Sequence, residues 1–155
     1  MERKKAYIEA NPLIYGYLQY REYTPDDIKH IHLMNFSYNI LFESKDYDYI
    51  TSDYAYRETY VVIRRDYGYL CDMRFFAFIH RIGARLNIAE VADDMHKIRL
   101  IARELTSSHL IIAVKYANAD YFVTADTKLI NKIQEKKPII KRILGTCPEP
   151  IDIKF

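Results

Sequence analysis

The chain predicts an α/β layered domain with a mainly parallel central sheet, because short β-prone runs alternate with helical periodicity. Ala6-Tyr7-Ile8 is the first such run, and Glu9-Ala10-Asn11-Pro12 ends it. Ala119 to Val123 is the second, a buried-type run that reads as an inner parallel strand. Thr124-Ala125-Asp126 follows at once. A hydroxyl and a carboxylate therefore sit at the carboxyl end of a strand, where open α/β sheets bind ligands. Asp126 also stands where a helix N-cap would, so capping and ligand binding both remain open for it.

Taken in order, Asn11 and Pro12 suit the start of a helix whose apolar face is Leu13, Ile14, Tyr17 and Leu18. Glu9 then lies at a strand's carboxyl end, and a carboxylate buried there needs a partner or a metal. Thr24-Pro25-Asp26-Asp27 is a second helix start, with Ile28 to Leu41 as its apolar body. His30 and His32 are two apart and cannot share a helix face, which argues against a metal pair. Lys45 to Tyr49 reads as a polar loop, and Ile50-Thr51-Ser52-Asp53 as the opening of a helix capped by Ser52 or Asp53. Glu58 falls one to two turns into that helix, where an ion pair with a basic neighbour such as Arg65 is the ordinary alternative to a functional role.

Asp66-Tyr67-Gly68 breaks the helix, and residues 69–86 read as the next one, with His80 a packed or edge histidine. Asn87 to Ala92 is a short strand or extended link, and a helix from Asp93 stops before Thr106-Ser107-Ser108. Ser107 or Ser108 caps a helix crowded with Leu110, Ile111, Ile112, Val114 and Ala117. After Asp126 a helix runs to about Gln134. Ile139–Leu144 and Ile151–Phe155 are the last strand candidates.

Composition narrows the function classes. A chain of 155 residues is expected to be one domain spanning 1–155, and half its residues are hydrophobic, which argues against disorder. A net charge of +2 neither demands nor excludes nucleic acid. Two cysteines, Cys71 and Cys147, do not make a disulfide scaffold or a cysteine zinc site, and a reducing cytoplasm is the natural setting. No run approaches the roughly 18–20 apolar residues of a membrane span, and the Met1-Glu2-Arg3-Lys4-Lys5 start has no signal-peptide core. Four glycines argue against a P-loop or Rossmann nucleotide site. The fifteen tyrosines are spread along the chain, as amphipathic packing residues would be.

In combination these pieces resemble a PIN domain, the nuclease fold of many toxin components of prokaryotic toxin–antitoxin pairs. Tyr7-Ile8-Glu9-Ala10-Asn11 is similar to the family's opening strand, Thr51-Ser52 with Glu58 to its serine-to-glutamate helix, and Ile111 through Ala119 to its apolar helix. Asp120-Tyr121-Phe122-Val123-Thr124-Ala125-Asp126 resembles the strand and threonine-x-aspartate turn, and Pro148-Glu149-Pro150-Ile151 the last motif. The resemblance implies a three-layer α/β/α domain in which acids converge at the carboxyl end of the sheet and bind one or two divalent metals, Mg2+ or Mn2+. It puts the first acid on Glu9, where the family normally has aspartate, the second on Glu58 and the last on Asp126. Thr124 and Asn11 fall in supporting places. The third acid's place lands on Ser107, or on Ser108 if the register slips by one, and a neutral hydroxyl is a poor ligand for a hard cation; Glu104 lies one turn earlier.

Two functions follow from the resemblance. One is a metal-dependent ribonuclease, toxin-like and weakened by the absent third acid, with Arg57, Arg64, Arg65 and Lys136-Lys137 as phosphate contacts and exposed tyrosines stacking on bases. The other is a catalytically impaired RNA-binding or protein-interaction module. Expected partners are RNA, an antitoxin protein and a second copy of the chain, with no membrane.

Overall fold

The computed structural model describes residues 3–69, 73–105 and 107–153. Five strands, β1 (Lys5–Ile8), β2 (Asp48–Ser52), β3 (Asn87–Ala89), β4 (Tyr121–Thr124) and β5 (Glu149–Asp152), form one sheet in the order β3-β2-β1-β4-β5. Every neighbouring pair is parallel, so the α/β class expected from sequence holds. Parallel neighbours need crossovers, and each here is a pair of helices. They are α1 (Ala10–Tyr20) with α2 (Ile28–Phe42), α3 (Asp53–Arg65) with α4 (Met73–Gly83), α5 (Met95–Leu105) with α6 (Ser108–Lys115), and α7 (Thr127–Glu135) with α8 (Lys137–Leu144).

The strand order explains the layers. From β1 the chain steps outward to β2 and β3, then returns past β1 to β4 and β5. With crossovers of one hand, that reversal sends α1–α4 to one face and α5–α8 to the other. The core divides accordingly, strand residue by strand residue, as a two-residue period requires. Ala6 and Ile8 of β1 and Val123 of β4 pack with Leu13, Tyr17, Leu41, Ile63 and Phe78. Tyr7, Ile50 and Phe122 pack with Ile98, Leu110, Ile112, Ile133 and Ile140. A layer of helices on both sides of the sheet makes the fold α/β/α. No helix among the described residues is long and apolar enough to cross a membrane.

Several boundaries differ from the sequence reading. Residues 48–52, expected as loop and helix start, form β2. Tyr49, Ile50, Thr51 and Ser52 are all buried there, and Ser52 ends the strand while capping α3, so the cap signal hid a strand. Residues 139–144, expected as a strand, belong to α8. Ile140 and Leu144 are buried one turn apart, Pro138 sits in the first turn, and Gly145 at φ 88° closes the helix in the left-handed region. Asn11 is inside α1, whose N-cap is Glu9, and α2 is capped by Asp27 and not by Thr24. The last strand begins two residues early, at Glu149, and the helix expected over 69–86 ends at Gly83; residues 154–155 lie outside the described residues, as do Met1, Glu2, 70–72 with Cys71, and Thr106. His30 pairs with Asp27 on its own helix start.

Candidate functional site

In this strand order the chain reverses between β1 and β4, and the two strands lie side by side with Ile8 opposite Val123. The crevice outside their carboxyl ends is the place where a doubly wound sheet binds ligands. Glu9 is the first residue beyond β1. Its backbone N–H donates to the Val123 carbonyl at 3.3 Å, extending the ladder by one rung and fixing the residue over the switch point. Only 6% of Glu9 is exposed.

Thr124, at the end of β4 and fully buried, donates its hydroxyl proton to Glu9 Oε1 at 2.7 Å and accepts the Asp126 N–H at 3.0 Å. One hydroxyl therefore joins the ends of both central strands. Asp126 itself is exposed and caps α7, accepting the Leu129 N–H at 3.1 Å. Of its two readings, the cap is the one its present contacts express. Asn11 acts on Glu9 through its backbone amide. Asp152, in register with Thr124 on β5, adds a further carboxylate to this rim that the sequence reading did not single out.

Burial drives the Glu9 carboxyl above its ordinary range. His109 when protonated, the Thr124 hydroxyl and the Asn11 amide act the other way, while the Glu58 charge adds to the rise. Glu9, Glu58 and His109 thus feel one another across the rim.

The second half of the site is a hydrogen-bonded chain. Tyr7, wholly buried in the central strand, bonds Ser52 Oγ at 2.8 Å and His109 Nδ1 at 2.7 Å. His109 Nε2 bonds the Glu58 carboxylate. Ser52 accepts the Ala55 N–H at 3.1 Å as the cap of α3. With a neutral imidazole and an ionised Glu58, donors and acceptors balance in one direction: Ser52 gives its proton to Tyr7, Tyr7 to Nδ1, and Nε2–H to Glu58. This places the imidazole proton on Nε2, an assignment from the network. The His109 side chain is 8% exposed and that of Glu58 is 39%, so the chain runs from the core out to the rim.

Glu58's partner is accordingly His109, while Arg65 pairs with Asp66 at 2.7 Å. Ser107 is the cap of α6 and accepts the His109 N–H at 3.2 Å, which commits its hydroxyl to the helix. Of the basic candidates, Arg64 donates to the Tyr60 hydroxyl, Lys136 to the Glu104 carbonyl, and Lys137 lies 3.7 Å from Glu149; Arg57 is exposed with no such bond among the described residues.

His109 and Tyr7 are the functional candidates that sequence reasoning missed. A signal existed for each. His109 is the one titratable side chain between Ser108 and Lys115 in a run of apolar residues, and a mid-strand tyrosine buried on a parallel sheet must find a partner for its hydroxyl.

Two outcomes test this arrangement. Tyr7→Phe strands the Ser52 hydroxyl and His109 Nδ1 in the core, and we expect a loss of about 1–3 kcal/mol in urea unfolding; wild-type stability would mean the chain is not formed. A carboxyl whose pKa is raised by folding stabilises fully below its unfolded value and loses that contribution as pH rises through the folded one. Glu9→Gln is therefore expected to melt a few degrees above wild type at pH 7, the two curves converging as pH falls through the ordinary carboxylate range. A variant melting below wild type at every pH would contradict the burial-driven shift.

No protein-family model matches this chain, and no curated protein matches it significantly.

Proposed function

We propose that the protein is a metal-dependent ribonuclease of the PIN type, hydrolysing RNA phosphodiester bonds, with Glu9, Glu58 and Asp126 as its acidic set. The observation that carries this is a buried carboxylate, Glu9, at the switch point of a doubly wound parallel sheet, bridged by Thr124 to the end of the neighbouring central strand. Burying such a charge is costly without a compensating cation.

The donor set suits Mg2+ or Mn2+ in chemistry, since all three are carboxylates and hard divalent ions take oxygen ligands. Among the described residues no three acid, histidine or cysteine side chains are gathered as a metal group. Glu58 is turned to His109 and Asp126 to the amides of α7. When bound, the cation would activate water and neutralise charge on the phosphate oxygens. The chain's own part is positioning. Thr124 holds Glu9, His109 orients Glu58, and Ser52, through Tyr7, fixes the imidazole tautomer, as outer-shell partners do for ligands. An antitoxin protein, a second copy of the chain and a cytoplasmic setting go with this reading by resemblance to toxin-type PIN domains.

A second reading is a catalytically impaired RNA-binding or protein-interaction module on the same fold. It is favoured by the engagement of Glu58 with His109 and of Ser107 as a cap.

RNA cleavage by the purified chain in Mn2+ separates the two. Under the ribonuclease reading, EDTA abolishes cutting, and Glu58→Gln with Asp126→Asn lowers it by more than about tenfold, the low end of what losing support for a metal ligand costs. Cutting that is equal in all samples would reject the reading. Ser107→Asp keeps a good N-cap residue and adds a carboxylate beside the site. It is expected to tighten Mn2+ binding in calorimetry without lowering the melting point, and unchanged affinity would show that position 107 does not face the ion.

A further inference from the structure

Beside the acidic rim lies a cavity of about 290 Å³ between the first turns of α3 and the start of α5. Its walls include Tyr54, Arg57, His96 and Arg99, with Asp53 and Asp93. It stands at the carboxyl ends of β2 and β3, where the chain passes from Ser52 into α3 and from Ala89 into the turn at 92–94. Its volume falls just under the roughly 300–1,000 Å³ of ordinary ligand sites.

Guanidinium and ring chemistry favour nucleic acid as the occupant, although two acids, Asp53 and Asp93, share the lining with the two arginines. The Asp53 carboxylate accepts the Val91 and Ala92 amides at 2.9 and 3.2 Å and forms no ion pair with either arginine among the described residues. Arg57 is exposed without an ion-pair partner among the described residues, unlike Arg65 and Lys137. Arg99 lies 6.0 Å over the half-buried Tyr54 ring. An aromatic face with a guanidinium beside it is the surface on which unpaired bases stack, and arginine supplies the planar fork that phosphate oxygens match. The same Tyr54 ring is 4.9 Å from the His109 ring, and His109 holds Glu58, so the cavity opens next to the acidic rim.

We propose that this cavity is a nucleotide subsite for single-stranded RNA, with Arg57 and Arg99 on a phosphate and Tyr54 under a base. The proposal rests on the ribonuclease reading only for its choice of RNA, and binding can be measured apart from cleavage.

The test is fluorescence anisotropy of a single-stranded oligoribonucleotide of about ten nucleotides, in EDTA, over a series of salt concentrations. Arg57→Ala and Arg99→Ala are each expected to weaken binding and to reduce the salt slope by about 0.7, the value for one phosphate contact on a single strand. Tyr54→Leu should weaken binding about tenfold at unchanged slope, and Tyr54→Phe, which keeps the ring against His109, should bind as wild type. Arg142→Ala, on α8 at the opposite end of the sheet, is the charge control and should change neither affinity nor slope by as much. Equal affinity and slope for folded Arg57→Ala, Arg99→Ala and wild type would overturn the subsite, as would a wild type that binds no RNA in low salt. A wild type that binds with this dependence and cuts nothing in Mn2+ would keep the subsite and reject hydrolysis. Cutting that persists with unchanged binding in both arginine variants would do the reverse.

Discussion

A phenol hydroxyl in the middle of a parallel sheet must be hydrogen-bonded, and Tyr7 meets that demand with residues from two other elements. Its ring is packed in the layer of α5–α8, and its oxygen reaches Ser52 at the start of α3 and His109 at the start of α6. Both partners lie at N-termini that follow from other causes: Ser52 ends β2 and caps α3, while His109 is held by the Ser107 cap. Leaving the hydroxyl unpaired would cost about 1–3 kcal/mol, so the helix starts are registered against the central strand by one atom. The imidazole is thereby aimed at Glu58, and the outer carboxylate of the rim owes its direction to a residue in the core.

The rim separates two glutamates by environment. Glu9 is enclosed, and burial raises its carboxyl pKa against the help of Thr124. Glu58 is partly exposed and bonded to an imidazole. Neighbouring carboxylates placed in unlike surroundings divide roles, as acid and base or as inner and outer ligand. On the ribonuclease reading this is how glutamate tolerates the place usually given to aspartate. The longer side chain is fixed by Thr124 at its end and by the extra ladder bond at its backbone, which removes the freedom that length would otherwise give.

Local signals that act within a few residues were the legible ones. A short polar residue before an apolar run marks each of three caps, as Ser52 or Asp53, Ser107 or Ser108, and Asp126, and of these Ser52, Ser107 and Asp126 bond their helix amides. Strands β1 and β4 were legible because their apolar runs end in polar turns. Strand β2 was not: its one-sided flank of Lys45 to Asp48 looks like a loop, and the pairing with β1 and β3 that makes it a strand is invisible to local pattern. In α8 the isoleucines that favour a strand were overruled by burial at one-turn spacing. The Tyr7–His109–Glu58 chain joins residues 51 and 102 positions apart. Nothing in a single sequence couples them, so the acids are candidates by their place in a motif, while the groups bonded to them carry no such mark.

Charge is distributed along the carboxyl edge of the sheet in a way that gives the proposed chemistry a direction. Glu9 and Asp126 stand over β1 and β4, with Asp152 beyond them on β5, whereas Arg57 and Arg99 line the cavity over β2 and β3 together with Asp53 and Asp93. Three of the basic side chains that the sequence offers as phosphate contacts are engaged, Arg64 with Tyr60, Arg65 with Asp66 and Lys137 with Glu149. The guanidiniums of the cavity can hold a phosphate by its oxygens, whereas the acidic end repels one unless a cation is bound there. On the proposed reading the two ends therefore depend on each other: arginines retain the strand, and only a loaded acidic rim lets the adjoining phosphate settle over Glu9. Attraction at one end with a conditional barrier at the other would make binding and hydrolysis separable properties of a single edge.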